Sequence, residues 1–293
     1  MINKAPTLIT RKPTVPINSE TVSIRFAKMV ASGNDFVVTE VKIKKLKGKN
    51  SKTLAREICD RKYGVGADGF LILEKVKKAS IRMRIFNADG TEAEMCGNGA
   101  RCAALYSTPN LQVPSPEFNI MTKAGVIQAI VNKDTVRIKL TKPKALRLDL
   151  PIKVNGRLMK VNFLNTGVPH AVIFVEGLEK IDLPCLGSAI RYHAQFKPAG
   201  TNVDFVEILN DNSIRIRTYE RGVEGETLSC GTGSVASALV TTCHLSLSAS
   251  GSISVHTQGG EILKVYYKKE GIDFGDVWLE GKASIVYKGV YHV

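Results

Sequence analysis

Apolar and polar residues alternate with a period of two along a series of short stretches. In the first half these are SIRFAKMV from Ser23, DFVVTEV from Asp35, FLILEKV from Phe70 and SIRMRIF from Ser80. In the second they are HAVIFVE from His170, VDFVEIL from Val203 and SIRIRTY from Ser213. Such alternation predicts strands with one face buried. Each half also carries two candidate helices: SKTLAREICDR from Ser51 and the run after MCGNG (95–99), then LPCLGSAIRYH from Leu183 and the run after SCGTG (229–233). Strands outnumber helices, and VHTQGGEILKVYY from Val255 reads as a hairpin, which favours antiparallel pairing. The expected class is α+β.

The pattern is written twice. MCGNGARCAAL from Met95 matches SCGTGSVASAL from Ser229, placing Cys230 at an offset of 134 residues from Cys96. At the same offset Ser32-Gly33 falls on Thr166-Gly167 and Gly66 on Gly200; IRMRIFN from Ile81 falls on IRIRTYE from Ile214 at 133. Matches in one order at one spacing predict two homologous, pseudo-symmetric domains, each a mainly antiparallel sheet wrapped around a central helix. The expected division is a flexible tail over 1–23, an N-terminal half over 24–145 completed by 279–293, and a C-terminal half over 146–278. Thr227 to Gly260 contains no Lys, Arg, Asp or Glu. A helix without a charged face is buried on most sides, so the second central helix should lie inside its own sheet.

Length and composition narrow the function. The 293 residues suit two domains of about 130 each, and no run of 18 apolar residues suggests a membrane span. The N-terminus lacks the apolar core of a secretory signal. Cys59, Cys96, Cys102, Cys185, Cys230 and Cys243 form no C-x-x-C pair, which argues against a zinc ribbon, and reduced thiols in the cytoplasm are expected. The formal charge of +14 gathers in the tail and in VKIKKLKGKN (41–50) and EKVKKAS (74–80). Without RNP-like aromatics, a helix-turn-helix signature or C2H2 spacing, these runs read as a solvated lysine-rich surface rather than a nucleic-acid interface.

A lone cysteine at Cys96 could be a disulfide half, a metal ligand, a nucleophile, a base or a small turn residue. Its echo at Cys230 selects among these. Gly97, Gly99, Gly231 and Gly233 let backbone N–H groups approach a ligand, and a helix start adds unpaired donors and a positive dipole end that suit a carboxylate. The same field favours a thiolate. A thiol near pKa 8.5 is only ~3% ionised at pH 7, and half-ionisation needs about 2 kcal/mol. A helix start supplies about 0.3–2 kcal/mol of that, so a neighbouring group is called for. Two such starts facing one cleft would set two sulfurs on opposite sides of one carbon. The matching chemistry is stereoinversion: one thiolate removes a proton and the opposite thiol returns one, as a coupled pair. No metal and no cofactor is needed for it. Cys59, Cys102, Cys185 and Cys243 read as packing residues.

At these residues the chain resembles the diaminopimelate epimerase family. The resemblance rests on SGNDFVV (32–38), DRKYGVGADG (60–69), FNADGTEAEMCGNGARC (86–102), GVPHAV (167–172), TNVDF (201–205) and YERGVEGETLSCGTGS (219–234). It implies a cofactor-independent enzyme that interconverts LL- and meso-diaminopimelate in lysine and peptidoglycan synthesis, as a homodimer. On that basis Cys96 and Cys230 look like the acid/base thiols, and Gly97, Asn98, Gly231 and Thr232 like the carboxylate cradle. Asn34, Asn87, Asn202, Glu220 and Arg221 would hold the substrate's amino and carboxylate groups, and His170 and Glu220 would tune the thiols. Read from the residues alone, Asn34 and Asn87 also fit turns beside aspartates, Asn202 a strand-end cap, Glu220–Arg221 a surface ion pair, and His170 a structural histidine. The chain departs from the family pattern at Val168, where M-G-N-P-H is common, at MVASGND, and at the longer ERGVEGET. Distal substrate recognition is where these differences fall. Proline racemases and hydroxyproline epimerases are the nearest rivals, and they carry a C-G-H-G-like first motif where this chain has Asn98. A basic nucleic-acid-binding protein and an inactive amino-acid-binding relative are the alternatives of other classes.

Overall fold

The computed structural model describes residues 23–40, 50–77, 80–110 and 117–293. Most of the expected tail lies outside the described residues, as do positions 41–49 and 78–79 of the two lysine runs. Among the described residues, nineteen strands accompany four α-helices: α1 (Ser51–Cys59), α2 (Gly97–Ser107), α3 (Leu183–Arg191) and α4 (Gly231–His244). No helix among them is long and apolar enough to cross a membrane.

The alternating stretches are strands, and the two halves repeat one topology. In the first, Ser23–Ala31 pairs antiparallel with Asn34–Thr39, which lies parallel to Gly69–Lys77 across α1. Gly69–Lys77 then turns back into Ser80–Asn87, and α2 leads to Glu117–Thr122 parallel to that strand. In the second half Arg157–Asn165, Pro169–Phe174, Asn202–Asn210 and Ser213–Glu220 repeat the sequence of pairings, and α4 leads to Ser250–His256. The four parallel pairings are the four helix crossovers, because only a long connection can return a chain in the same direction. All other pairings among the described residues are antiparallel. The matched glycines repeat as well: Gly66 and Gly200 both take positive φ, 77° and 68°.

Each sheet is sandwiched between a central and an outer helix. Ile81, Met83 and Ile85 point to a core shared with Ala100, Cys102, Ala103 and Ala104 of α2. Phe86 points the other way, into a cluster with Leu54, Ala55 and Ile58 of α1. Likewise Ile214 and Ile216 pack with Val235, Ala238 and Leu239 of α4, while Tyr219 joins Leu183 and Ile190 of α3. Strand alternation therefore feeds two cores, one per face. The outer helices start on side-chain caps, Asn50 accepting from Thr53 N–H at 2.9 Å and Asp182 from Cys185 N–H at 3.2 Å. As its uncharged sequence predicts, α4 is buried from Gly233 through Thr242. Ser234, Thr241 and Thr242 satisfy their hydroxyls by donating to carbonyls four residues back.

Two features join the halves. Trp278–Lys282 pairs with Ile262–Glu270 on one side and with Thr135–Lys139 of the first half on the other. Lys144–Val154 pairs with Arg157–Asn165, and Ser284–His292 takes the equivalent place beside Ser23–Ala31. The shared strand brings the N-terminal ends of α2 and α4 together at the seam.

Candidate functional site

Cys96 and Cys230 occupy the same position in their halves, the residue before a buried helix. Both have extended backbones, with φ −143° and −117°, and each carbonyl accepts the first helical hydrogen bond at 2.8 Å. The Cys96 sulfur accepts from Gly99 N–H at 3.4 Å. The Cys230 sulfur lies 3.5 Å from Thr232 Oγ1. The two starts adjoin: a Cβ on Gly231 would stand 4.0 Å from Asn98 Oδ1 and 3.2 Å from Leu279 on the shared strand. Between them opens a cleft of about 450 Å³, lined by both cysteines. Ser32, Asn34, Gly97 and Asn98 form one wall; Glu220, Leu228, Gly231 and Thr232 form the other.

A buried polar chain stands behind Cys230. His170 and Asp204 are fully buried, with Nδ1 2.8 Å from the Asp204 carboxylate. Nε2 lies 3.0 Å from Thr232 Oγ1. With Nδ1–H donating to Asp204, Nε2 of a neutral ring accepts from the Thr232 hydroxyl, whose oxygen then faces the Cys230 thiol. Asp204 also accepts from Thr218 Oγ1 at 2.7 Å. Gly233 is required here, since a Cβ would strike the Asp204 carboxylate and come within 3.3 Å of His170.

Electrostatics differ from the expectation drawn from helix dipoles. Burial pushes the Cys96 thiol up, against the N–H groups of Gly99 and Asn98 and the charge of Arg101, which lower it. Burial also pushes Cys230 well above the thiol range, and the carboxylates of Glu220 and Asp204 push the same way. Glu220 is itself raised by burial, with a hydrogen bond from Thr227 opposing. Desolvation outweighs the helix starts because the sulfurs lie at the floor of a seam between two cores. Burial thus favours the thiol form of both residues.

The cleft gathers Asn34, Cys96, Gly97, Asn98, Glu220, Cys230, Gly231 and Thr232 from the expected set. His170 reaches it through Thr232. Asn202 is buried beside His170, with Nδ2 donating to Pro169 O at 3.2 Å and Oδ1 accepting from Arg221 N–H at 2.7 Å. The Arg221 guanidinium donates to Ala199 O at 3.4 Å, and Asn87 is exposed, donating to Thr91 Oγ1 at 2.9 Å; neither side chain lines the cleft. Val168 does, and with Leu228 and Val223 it makes an apolar patch. Sequence reasoning passed over Asp204, Ser229 and Arg101. Asp204 was signalled by its period-two spacing from Asn202 in TNVDF, and Arg101 by standing one helical turn after Asn98. Ser229 Oγ, on the cleft wall, is buried and without a partner among the described residues.

The family model described as diaminopimelate epimerase matches residues 26–146 and 162–286. The chain belongs to the diaminopimelate epimerase family. It is 41% identical to the diaminopimelate epimerase of Hydrogenobaculum sp. over 275 residues, covering 90% of this chain and 96% of that one. Against the diaminopimelate epimerase of Methanocella arvoryzae it is 40% identical over 279 residues, 91% and 96% of the two chains. Solved structures extend the fold beyond the family. A PhzF-family phenazine biosynthesis protein from Bacillus anthracis superimposes with TM-score 0.70 at 16% identity, covering 93% of this chain and 99% of its own. A probable proline racemase from Agrobacterium radiobacter gives 0.66 at 16%, covering 92% of each chain. The diaminopimelate epimerase family thus shares its fold with proteins of other named functions.

Proposed function

We propose that the protein interconverts LL- and meso-diaminopimelate by proton transfer at Cα between Cys96 and Cys230, without a cofactor. The observation that carries this reading is one cleft lined by two cysteines, each capping a buried helix in equivalent halves. The thiolate of one sulfur takes the Cα proton and becomes a thiol; the other gives its proton to the opposite face and becomes the thiolate. Gly97, Asn98, Gly231 and Thr232 cradle the carboxylate, whose charge grows as Cα is deprotonated. Burial favours the thiol form of both sulfurs, so the ligand is assigned a part in forming the thiolate. The ammonium of the substrate, set against Glu220, neutralises a carboxylate that raises Cys230, so that one thiol releases its proton to solvent as the ligand binds and leaves a thiolate. His170 and Asp204 hold Thr232 beside Cys230 and orient its hydroxyl.

Asn34 and Glu220 hold the amino and carboxylate groups, with Val168, Val223 and Leu228 packing on the methylene chain, while Asn202 acts from behind the wall by holding the Arg221 backbone. The functional halves are 24–145 with 279–293, and 146–278, a division supported by the pairing of Ser284–His292 with Ser23–Ala31. The enzyme works as a homodimer in the cytoplasm. Reduced thiols suit that compartment. A one-sided edge strand with exposed Val286, Tyr287 and Val290 supports the dimer.

Incubation of the reduced protein with LL-diaminopimelate in D2O tests the reading. Exchange of the Cα hydrogen with formation of the meso isomer is expected. No exchange, together with turnover of proline, would move the protein to the racemase reading.

A further inference from the structure

Arg101 is the bulkiest fully buried side chain among the described residues, and it lies inside α2. Nη2 donates to Asn98 Oδ1 at 2.6 Å and to Ser32 Oγ. Nη1 donates to Lys282 O at 3.2 Å and pairs with Glu261 Oε1 at 3.4 Å. Glu261 comes from the second half, in the turn between Ser250–His256 and Ile262–Glu270, and also accepts from Lys282 N–H at 3.1 Å. A buried guanidinium is costly unless paired; here the two terminal nitrogens are engaged, while Nε has no partner among the described residues. The repeat shows that helix packing alone does not call for it, since the matching position in α4 is Val235.

Its position has a chemical consequence for the cleft. A guanidinium only donates, so the Asn98 atom facing it is the carbonyl oxygen, which sets the amide. Asn98 Nδ2 then donates to Asn34 Oδ1 at 2.7 Å. Asn34 Nδ2 in turn donates to Asp68 Oδ2 at 3.1 Å. An ionised carboxylate only accepts, so the far end of the chain imposes the same direction. Each amide keeps one further N–H, and both residues line the cleft.

We propose that Arg101 is a positioning residue, paired across the seam with Glu261. Acting through Asn98, and with Asp68 at the other end, it orients both amides so that Asn98 and Asn34 turn N–H groups to the substrate carboxylate. Without it only Asp68, acting through Asn34, still holds the direction of the Asn98 amide, and a flipped amide would present an oxygen to a carboxylate. The proposal rests on the reading of this cleft as the epimerase site.

A double-mutant cycle on kcat/KM tests it. Asn98→Ala and Arg101→Met are each expected to lower kcat/KM by about 10- to 100-fold. The double variant should be no worse than Asn98→Ala alone, and Arg101→Lys, still a pure donor, should recover part of the loss. Asp68→Asn, at the solvent end of the chain, loses its acceptor-only character and should raise KM without loss of fold, again with no added penalty on Asn98→Ala. That variant keeps the test open if Arg101→Met fails to fold. Penalties that add to a damaging Asn98→Ala would overturn the proposal alone. An Asn98→Ala protein with unchanged kcat/KM would overturn the cradle reading and the proposal together.

Discussion

Cys96 and Cys230 sit where helix dipoles favour a thiolate, yet both are shifted toward the thiol. In the free protein their alkylation by iodoacetamide should therefore rise with an inflection above the ordinary thiol value. Glu220→Gln removes a negative charge from beside Cys230, so its inflection should move down; mass spectrometry of the alkylated peptides reads both. An inflection below neutral pH in the empty protein would contradict the ligand-activated thiol. The identity of the sulfurs was legible because a repeat singles out two cysteines from six. The burial of Cys230 and half-burial of Cys96 were not, since they depend on two halves closing over residues 134 positions apart. Asn34, Asn98 and Glu220 were legible from the family motifs, whereas the chain linking Arg101, Asn98, Asn34 and Asp68 exists only once three separate segments have folded together.

The central helices show what an element must give up to hold a site. Gly233 leaves room for the Asp204 carboxylate and the His170 ring inside the first turn of α4. Gly233→Ala overfills that space and should cost about 1–3 kcal/mol, read as a lower urea midpoint with an unchanged slope. Activity should fall further than stability, because the chain from Asp204 to Thr232 is what the methyl displaces. Strands with one face on each core announced themselves by alternation. Lys144–Val154 alternates too, with Leu146, Leu148, Leu150, Ile152 and Val154 at every second position, although most of its residues are exposed or half-exposed. The parallel pairings were hidden, because direction is decided by the helix between two strands, which the strands' own residues do not record.

At the scale of the molecule, Ser284–His292 ends the sheet beside Ser23–Ala31 with apolar side chains facing outward. Static light scattering should give twice the mass of the chain, and Val290→Lys, which sets a charge on that edge, should shift it to the monomer with its circular dichroism retained. The same strand carries a second meaning when set against the repeat. After its last matched strand, the first repeat continues into Lys144–Val154, which pairs in the second half; the second repeat continues into Ser284–His292, which pairs in the first. Each repeat thus lends its final strand to the other, the arrangement of a domain-swapped dimer written into one polypeptide. A chain cut between the repeats would yield two pieces that each hold a strand the other lacks, so neither could be whole until they met.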